Sequence, residues 1–145
     1  MIVRPSLPRD IPWIVDAASE FAIEGYPGDR VDEDHVYDVV TAAMRRDEAL
    51  VAVLEADGDK FAGCFMATSG DNLLTGKPQC AEVFFWVAPQ FRGHGKRLLT
   101  YVENWARARG CETAALSRPE SASRAGKIFE AWGYAPAERW YRKKL

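Results

Sequence analysis

The chain has 145 residues, a formal net charge of −2 and an apolar content of 48%, which is typical of one globular domain, residues 1–145, with one core. This charge gives no electrostatic basis for binding nucleic acid, and no run approaches the roughly 20 apolar residues that span a bilayer. Because the first residues also lack the pattern of a secretory signal, we expect a cytoplasmic protein that binds neither nucleic acid nor membrane.

The predicted elements follow the order β-α-α-β-β-β-α-β-α-β. A short strand over residues 2–4 precedes a helix that begins near Asp10, in which apolar residues recur every three or four positions. The segment 25–28 contains two glycines and a proline, and it ends this helix. A second helix follows the acidic residues 32–34.

The middle of the chain is rich in β-forming residues. Two such runs, 49–55 and 61–68, are separated by Asp57-Gly58, which is typical of a hairpin turn. The run 81–88 is apolar on both of its faces and predicts a central strand. A glycine-containing turn then leads into a helix that ends near Arg109.

The last part of the chain predicts a strand over 111–117, a helix over 123–132 and a final strand over 140–142. A right-handed crossover makes the strand at 111–117 a parallel neighbour of the central strand. Since the hairpin is antiparallel, we expect a mixed sheet in an α/β domain. Ligands of such sheets bind beyond the carboxyl ends of the strands, which here means residues 89–95.

The three cysteines are Cys64, Cys80 and Cys111, and none of them belongs to a CxxC pair. This spacing does not favour a zinc site or a set of disulfides. We therefore interpret all three as buried free thiols in a reducing cytoplasm, and we expect no metal site.

The segment Gln90-Phe91-Arg92-Gly93-His94-Gly95 connects the central strand to the following helix. The unpaired N–H groups at a helix N-terminus attract phosphate, the two glycines allow a ligand to approach the backbone, and Arg92 and Lys96 add charge. The spacing matches neither a Walker motif nor a dinucleotide fingerprint. The segment therefore predicts another kind of anion site, with a plain strand-to-helix turn as the alternative.

This segment resembles the [Q/R]-x-x-G-x-[G/A] pyrophosphate motif of the GNAT acyltransferase superfamily. Its surroundings match as well, since the Leu98-Leu99 helix follows it and Phe129-Glu130-Ala131-Trp132-Gly133-Tyr134 is similar to the family's late Y-E-K-x-G-[F/Y] segment. The resemblance implies a single GNAT-type domain. Its sheet would be mixed and mostly antiparallel, with helices on both faces and one parallel pair of strands that splay apart.

The resemblance also implies an acetyl-CoA-dependent N-acyltransferase. The pyrophosphate of acetyl-CoA would lie on the amides of residues 92–96, and its pantetheine arm would run along the backbone of the central strand. The cofactor-binding residues implied in this way are Trp86, Val87, Ala88, Gln90, Arg92, Gly93, His94, Gly95, Lys96 and Phe129. The motif begins either at Gln90, which makes Gly95 its last small residue, or at Arg92, which puts Arg97 there.

Amine acylation requires a group that removes a proton from the amine, and Glu82 is our candidate. Regular strand alternation puts Glu82 on one face with Phe84 and Trp86, and these surroundings raise the pKa of a carboxyl group towards the range of a general base. The alternative is a glutamate in solvent. The backbone N–H of Val87 or Ala88 would polarise the thioester carbonyl.

The general acid is not assigned by the sequence. Many GNAT enzymes carry a proton-donating tyrosine where this chain has Phe129, which cannot donate a proton. Tyr134 and Ser123 are substitutes by their position in the sequence, and water is another. Phe129 itself is expected to pack against pantetheine or the core.

The acceptor is expected to be a primary amine of a small molecule or a protein. An acidic group near Tyr26 would attract a cationic acceptor, with the alternative that some of these acids only stabilise a helix start; its members are Glu20, Glu24, Asp29, Asp32, Glu33 and Asp34. The resemblance allows a homodimer. An alternative function is a non-catalytic module with the GNAT fold that binds CoA or a protein.

Overall fold

The computed structural model describes residues 1–145 and contains five strands and four α-helices. In chain order they are β1 Ile2–Pro5, α1 Ile11–Gly25, α2 Glu33–Ala43, β2 Ala49–Ala56, β3 Lys60–Asp71, β4 Pro78–Val87, α3 Gly95–Ala108, β5 Thr113–Ala115 and α4 Ser123–Ala131. Two 3₁₀ turns, Pro8–Asp10 and Pro89–His94, lead directly into α1 and α3.

The strands form one sheet in sequence order, β1-β2-β3-β4-β5. The first three pairings are antiparallel, and β4 pairs with β5 in parallel. This confirms the predicted mixed, mostly antiparallel sheet of an α/β domain. None of the helices combines the length and the apolar character that crossing a bilayer requires.

Helices cover both faces of the sheet because successive side chains of each strand point to opposite sides. On one face, Ile14 of α1 and Val40 of α2 pack on Val53 and Met66 of the central strands. On the other face, Leu98 and its neighbours in α3 pack on the strand residues that alternate with these, such as Phe65. We call these the α1 face and the α3 face.

All three cysteines are free thiols, but the expectation that all of them are buried is wrong for Cys111. Cys64 and Cys80 are buried in the two halves of the core, and Cys111 is half-buried at the end of α3. Burial, with a smaller contribution from Cys111, raises the pKa of the Cys80 thiol to about 11. Cys64, whose pKa burial also raises, and Cys80 therefore act as neutral packing residues.

The predicted strands near the C-terminus differ from the structure. The strand at 111–117 is only three residues long, and the prediction of a strand at 140–142 is wrong. Trp140 and Tyr141 are exposed, so this segment buries no apolar face against the sheet. Side chains tie the tail down instead, since Arg142 donates to Asp29 at 2.7 Å and lies over the ring of Tyr26.

A buried ion cluster joins β1, the start of α1 and β2. The Asp10 carboxylate is fully buried and accepts hydrogen bonds from both terminal nitrogens of Arg4, at 2.6 and 3.0 Å, and from the Leu7 N–H at 2.7 Å. Arg4 also donates to Glu55 at 2.6 Å. Burial raises the pKa of Asp10, but the hydrogen bonds from Arg4 and Leu7 outweigh it, and the net pKa is lowered.

We predict that Asp10→Asn destabilises the protein by about 3 kcal/mol, because it leaves the Arg4 charge without its buried partner. Urea unfolding at neutral pH measures this change. Asp57→Asn is the control, since Asp57 is almost fully exposed and pairs only with the N-terminal amine; we expect a change within about 0.5 kcal/mol.

The ion pair between Asp10 and Arg4 also makes the stability of the protein depend on pH. A carboxyl whose pKa is lowered by folding contributes stability above its unfolded-state pKa, near 3.9, and this stability is lost as the pH falls through the folded-state value. The Asp10→Asn variant should lack this part of the pH dependence of stability. An equal loss of stability with falling pH in both proteins would contradict the assignment.

Candidate active site

The parallel pairing of β4 and β5 is short. It joins only Gln79, Cys80 and Ala81 to the three residues of β5. Beyond β5 the chain leaves the sheet, and Pro119 is buried against Gly25 at the end of α1, where a Cβ on Gly25 would lie 2.5 Å from the Pro119 side chain. Residues 82–87 of β4 consequently have one edge without a strand partner.

A β-bulge in β4 changes which way its side chains point. Opposite residues of antiparallel strands share a face, and Glu82 lies opposite Ala67, whereas Phe84 lies opposite the next residue of β3, Met66. Val83 is therefore the extra, unpaired residue of a bulge. Ala67 belongs to the α3 face and Met66 to the α1 face. Glu82 thus points to the α3 face.

The expectation that Glu82 shares a face with Phe84 and Trp86 is therefore wrong. The bulge inserts one residue between them and reverses the alternation. Phe84 instead packs edge-on against Phe21 of α1, with ring centroids 5.2 Å apart. The residues of β4 that share the face of Glu82 are Cys80, Phe85 and Val87.

Glu82 reaches across the gap to the segment that follows β5. One oxygen, Oε2, accepts two hydrogen bonds from Ser117, from the backbone N–H at 2.9 Å and from the hydroxyl at 2.5 Å. Burial raises the pKa of Glu82, the two hydrogen bonds from Ser117 lower it, and the net pKa is raised above its ordinary value. The direction expected for a general base is present, and its cause is burial on the α3 face rather than contact with Phe84 and Trp86.

The backbone groups on the free edge of β4 follow from its pairing with β3. The Ala88 N–H donates to the Ala62 carbonyl of β3 at 2.9 Å. Because the N–H groups of successive strand residues point to opposite edges, those of Val87 and Phe85 point to the free edge and that of Trp86 to β3. Of the two predicted carbonyl-polarising donors, Val87 is available and Ala88 is not.

The free edge ends at the N-terminus of α3. Gly95, its first residue, is buried, and a Cβ there would lie 3.3 Å from Phe85 and 3.5 Å from Val87. Gly93 has no atom within 4 Å of its Cβ position, and Arg97 is exposed. The structure therefore requires a small residue at Gly95 and not at Arg97, which favours the motif beginning at Gln90.

The predicted charged residues of the turn do not all remain free. Arg92 donates to both carboxylate oxygens of Glu24 at 2.6 Å, which ties the turn to the end of α1. His94 and Lys96 are exposed and form no ion pair or side-chain hydrogen bond. Gln90 faces the other way and lines, with Trp86, an open cleft of about 680 Å³ beside α1.

The late segment supplies no obvious proton donor. Phe129 stacks against Phe85 and contacts Trp132, with ring centroids 6.4 and 6.1 Å apart, so it packs on the core as expected. The hydroxyl of Tyr134 donates to Glu103 at 3.0 Å. Burial and this carboxylate raise the pKa of Tyr134 well above its ordinary value. Its proton is therefore held on the α3 side.

Half of the six acids near Tyr26 already have partners within the protein. Glu24 binds Arg92 and Asp29 binds Arg142. Asp32 caps α2 by accepting from the His35 N–H at 3.0 Å, and the next two acids lie in the first turn of that helix. Only Glu20 faces the open cleft. Helix stabilisation therefore explains the acids at 32–34.

The family of this chain is shown by its match to a protein-family model. A family model described as acetyltransferase (GNAT) family matches residues 14–134. The chain belongs to the GNAT acetyltransferase family. No curated protein was matched by sequence, so the remaining comparisons are with solved structures.

Several solved structures share the fold at low sequence identity. AAC(6')-Iy in complex with the bisubstrate analogue CoA-S-monomethyl-acetylneamine is 21% identical, with a TM-score of 0.80 over 99% of this chain and 98% of that chain. Ribosomal-protein-alanine N-acetyltransferase from Brucella melitensis is 16% identical, with a TM-score of 0.76 over 100% of both chains. Glucosamine-6-phosphate N-acetyltransferase from Arabidopsis thaliana is 14% identical, with a TM-score of 0.78 over 99% and 97%. These similarities confirm the GNAT fold.

The sequence did not point to Ser117 or Phe85, and it indicated Glu24 only as an acid that would attract the acceptor, not as the partner of Arg92. Phe85 could have been found, because strand alternation places it with Val87. Ser117 and Glu24 carry no local signal, since their partners lie 35 and 68 positions away in the chain.

We predict that Gly95→Val destabilises the protein by about 2 kcal/mol, because the added atoms must enter the contacts with Phe85 and Val87. Thermal unfolding measures the change. Gly93→Val is the matched control, since the Cβ position of Gly93 meets open space and its φ is not positive. Equal unfolding temperatures for the two variants would show that α3 does not require a small residue at 95.

Proposed function

We propose that this protein is an N-acyltransferase that uses acetyl-CoA as acyl donor and acetylates a primary amine by direct attack of that amine, with Glu82 as general base. The observation that carries the proposal is the free edge of β4, which joins a half-buried carboxylate to an exposed helix N-terminus. Membership of the GNAT family supports the reaction class. The cysteines, all reduced, suit a cytoplasmic enzyme.

The residues on the free edge suit acetyl-CoA as a ligand. The N-terminal amides of α3 and the side chains of His94 and Lys96 offer an anion site for the pyrophosphate, and the open space at Gly93 admits a ligand close to the backbone. The N–H and C=O groups of Phe85 and Val87 offer hydrogen bonds to an extended chain. Acetyl-CoA, when bound, supplies a thioester whose acetyl group passes to the amine.

Each remaining step is assigned to a group of this chain. The carboxylate of Glu82 removes a proton from the acceptor amine, and burial, which raises its pKa, makes it a stronger base than an exposed glutamate. The Val87 N–H stabilises the charge that develops on the carbonyl oxygen. Phe129 has no proton to give, so no side chain is assigned as general acid.

The acceptor is proposed only as a class. A primary amine is cationic near neutral pH, and the Glu82 carboxylate, whose Oε1 has no partner within the protein, would attract it. Glu20 lines the cleft beside α1, on the face of the sheet opposite to Glu82, so it is not placed to bring the amine to that base. The paired carboxylates of Glu24 and Asp29 are less available to attract the amine.

We predict that Gly93→Trp weakens acetyl-CoA binding at least tenfold in calorimetric titration, because the indole would occupy the space above the N-terminus of α3. Gly70→Trp is the matched control. Gly70 also lies exposed with no atom within 4 Å of its Cβ position, but it is at the opposite end of the sheet. Both variants should unfold at the wild-type temperature.

The titration also tests the site itself. Unchanged affinity in Gly93→Trp would rule out the N-terminus of α3 as the pyrophosphate site. No binding of acetyl-CoA by the wild-type protein would favour the second candidate function, a non-catalytic module with the GNAT fold. Two observations favour that candidate. Phe129 cannot donate a proton, and Arg92 is already paired with Glu24.

We predict that Glu82→Gln lowers the rate of acetyl transfer at least about 100-fold, because the amide cannot accept the proton. The release of CoA is measured with a panel of primary amines, and affinity for acetyl-CoA should stay within about threefold. Glu130→Gln is the control, since Glu130 is exposed and forms no side-chain hydrogen bond or ion pair. Wild-type turnover by Glu82→Gln would remove Glu82 from the mechanism.

A further inference from the structure

Only one of the two carboxylate oxygens of Glu82 accepts hydrogen bonds within the protein. Both hydrogen bonds from Ser117, at 2.9 and 2.5 Å, go to Oε2. Oε1 accepts no hydrogen bond within the protein and belongs to no ion pair. The two oxygens of one carboxylate therefore have different roles available to them.

This difference rests on the divergence of β5. Ser117 lies two residues past Ala115, the last residue of β5 that pairs with β4. Its N–H has left the sheet and is free to donate to a side chain. The bulge at Val83 brings Glu82 onto the same side. A chain with regular pairing through this region would use the backbone groups in the ladder instead.

We propose that Ser117 is a positioning residue for the reaction: it fixes Oε2 with two donors, so that Oε1 is the oxygen that takes the proton of the acceptor amine. This inference rests on the proposed function. In the step concerned, an N–H bond of the amine breaks and an O–H bond forms on Oε1. The electron pair stays on nitrogen, which becomes the nucleophile.

Ser117 also sets the charge state of the base. Its hydrogen bonds favour the ionised carboxylate, whereas burial favours the neutral acid. No charged side chain contributes to the pKa of Glu82. The guanidinium of Arg118 donates to the carbonyls of Pro119 and Glu120, and the nearby Cys80 thiol on the same face is neutral. The hydrogen bonds from Ser117 thus oppose the rise in the pKa of Glu82 that burial causes.

The test compares Ser117→Ala with Ser117→Thr, which keeps a hydroxyl. The pH dependence of kcat/KM is measured from pH 5 to 9. Loss of the hydroxyl should move the acidic limb of Ser117→Ala to higher pH and lower its rate on that limb about tenfold. Ser117→Thr should restore the wild-type profile. Ser121→Ala, which changes an exposed serine in the same loop, should behave as wild type.

Two outcomes separate this inference from the proposed function. If Glu82→Gln is inactive but the acidic limb of Ser117→Ala stays at the wild-type pH, the general base stands and the role of Ser117 is wrong. If Glu82→Gln is active, both fail. A merely structural role of Ser117 would change the KM for acetyl-CoA or the unfolding temperature without moving the pH profile.

A second measurement needs no activity. The pKa of the Glu82 carboxyl is followed by ¹³C NMR in protein labelled at its glutamate carboxyls, with Glu82→Gln used to assign the signal. Ser117→Ala should raise this pKa, and Ser117→Thr should not. Equal titration of Glu82 in the wild type and in Ser117→Ala would overturn the proposal.

Discussion

Pairing between β4 and β5 stops at Ala81, and the site is built on the edge of β4 that this leaves open. Two features enforce the separation. Pro119 is buried against Gly25 and holds the chain after β5 away from the sheet, and the bulge at Val83 twists β4 at the point of divergence. An unpaired edge inside a fold leaves backbone groups without partners, which is costly unless a ligand or water satisfies them. This is the edge that the proposed function assigns to the cofactor.

Ion pairs hold the elements around this edge in place. Arg92 in the turn before α3 binds Glu24 at the end of α1, and Arg142 in the tail binds Asp29 in the loop before α2. Arg139 pairs with Glu120 in the loop after β5. All are exposed, so each contributes little to stability. Their effect is geometric, since the Arg92 pair links α1 to the turn before α3 and the other two join the C-terminal tail to loops.

The sequence predicted the elements well and the site less well, for reasons that particular residues make clear. The periodicity of α1 and the glycines around α3 are local signals, and both helices lie where they predict. The bulge at Val83 has no such signal, because any strand residue can be the extra one. It reversed the side on which Glu82 lies. The strand expected at 140–142 is absent because the adjacent Trp140 and Tyr141 are exposed and cover no apolar surface of the sheet.

The Val87 backbone, to which the proposed function gives the role of polarising the thioester carbonyl, is packed closely on two sides. On the β3 side, Gly63 allows close approach, since a Cβ there would lie 2.7 Å from the Trp86 carbonyl oxygen and 3.0 Å from the Val87 Cα. On the α3 side, Gly95 packs against the Val87 side chain. Two residues without side chains thus fix the strand between a neighbouring strand and a helix end. An N–H fixed in this way costs no reorganisation when charge develops beside it, which is the condition for electrostatic stabilisation in catalysis.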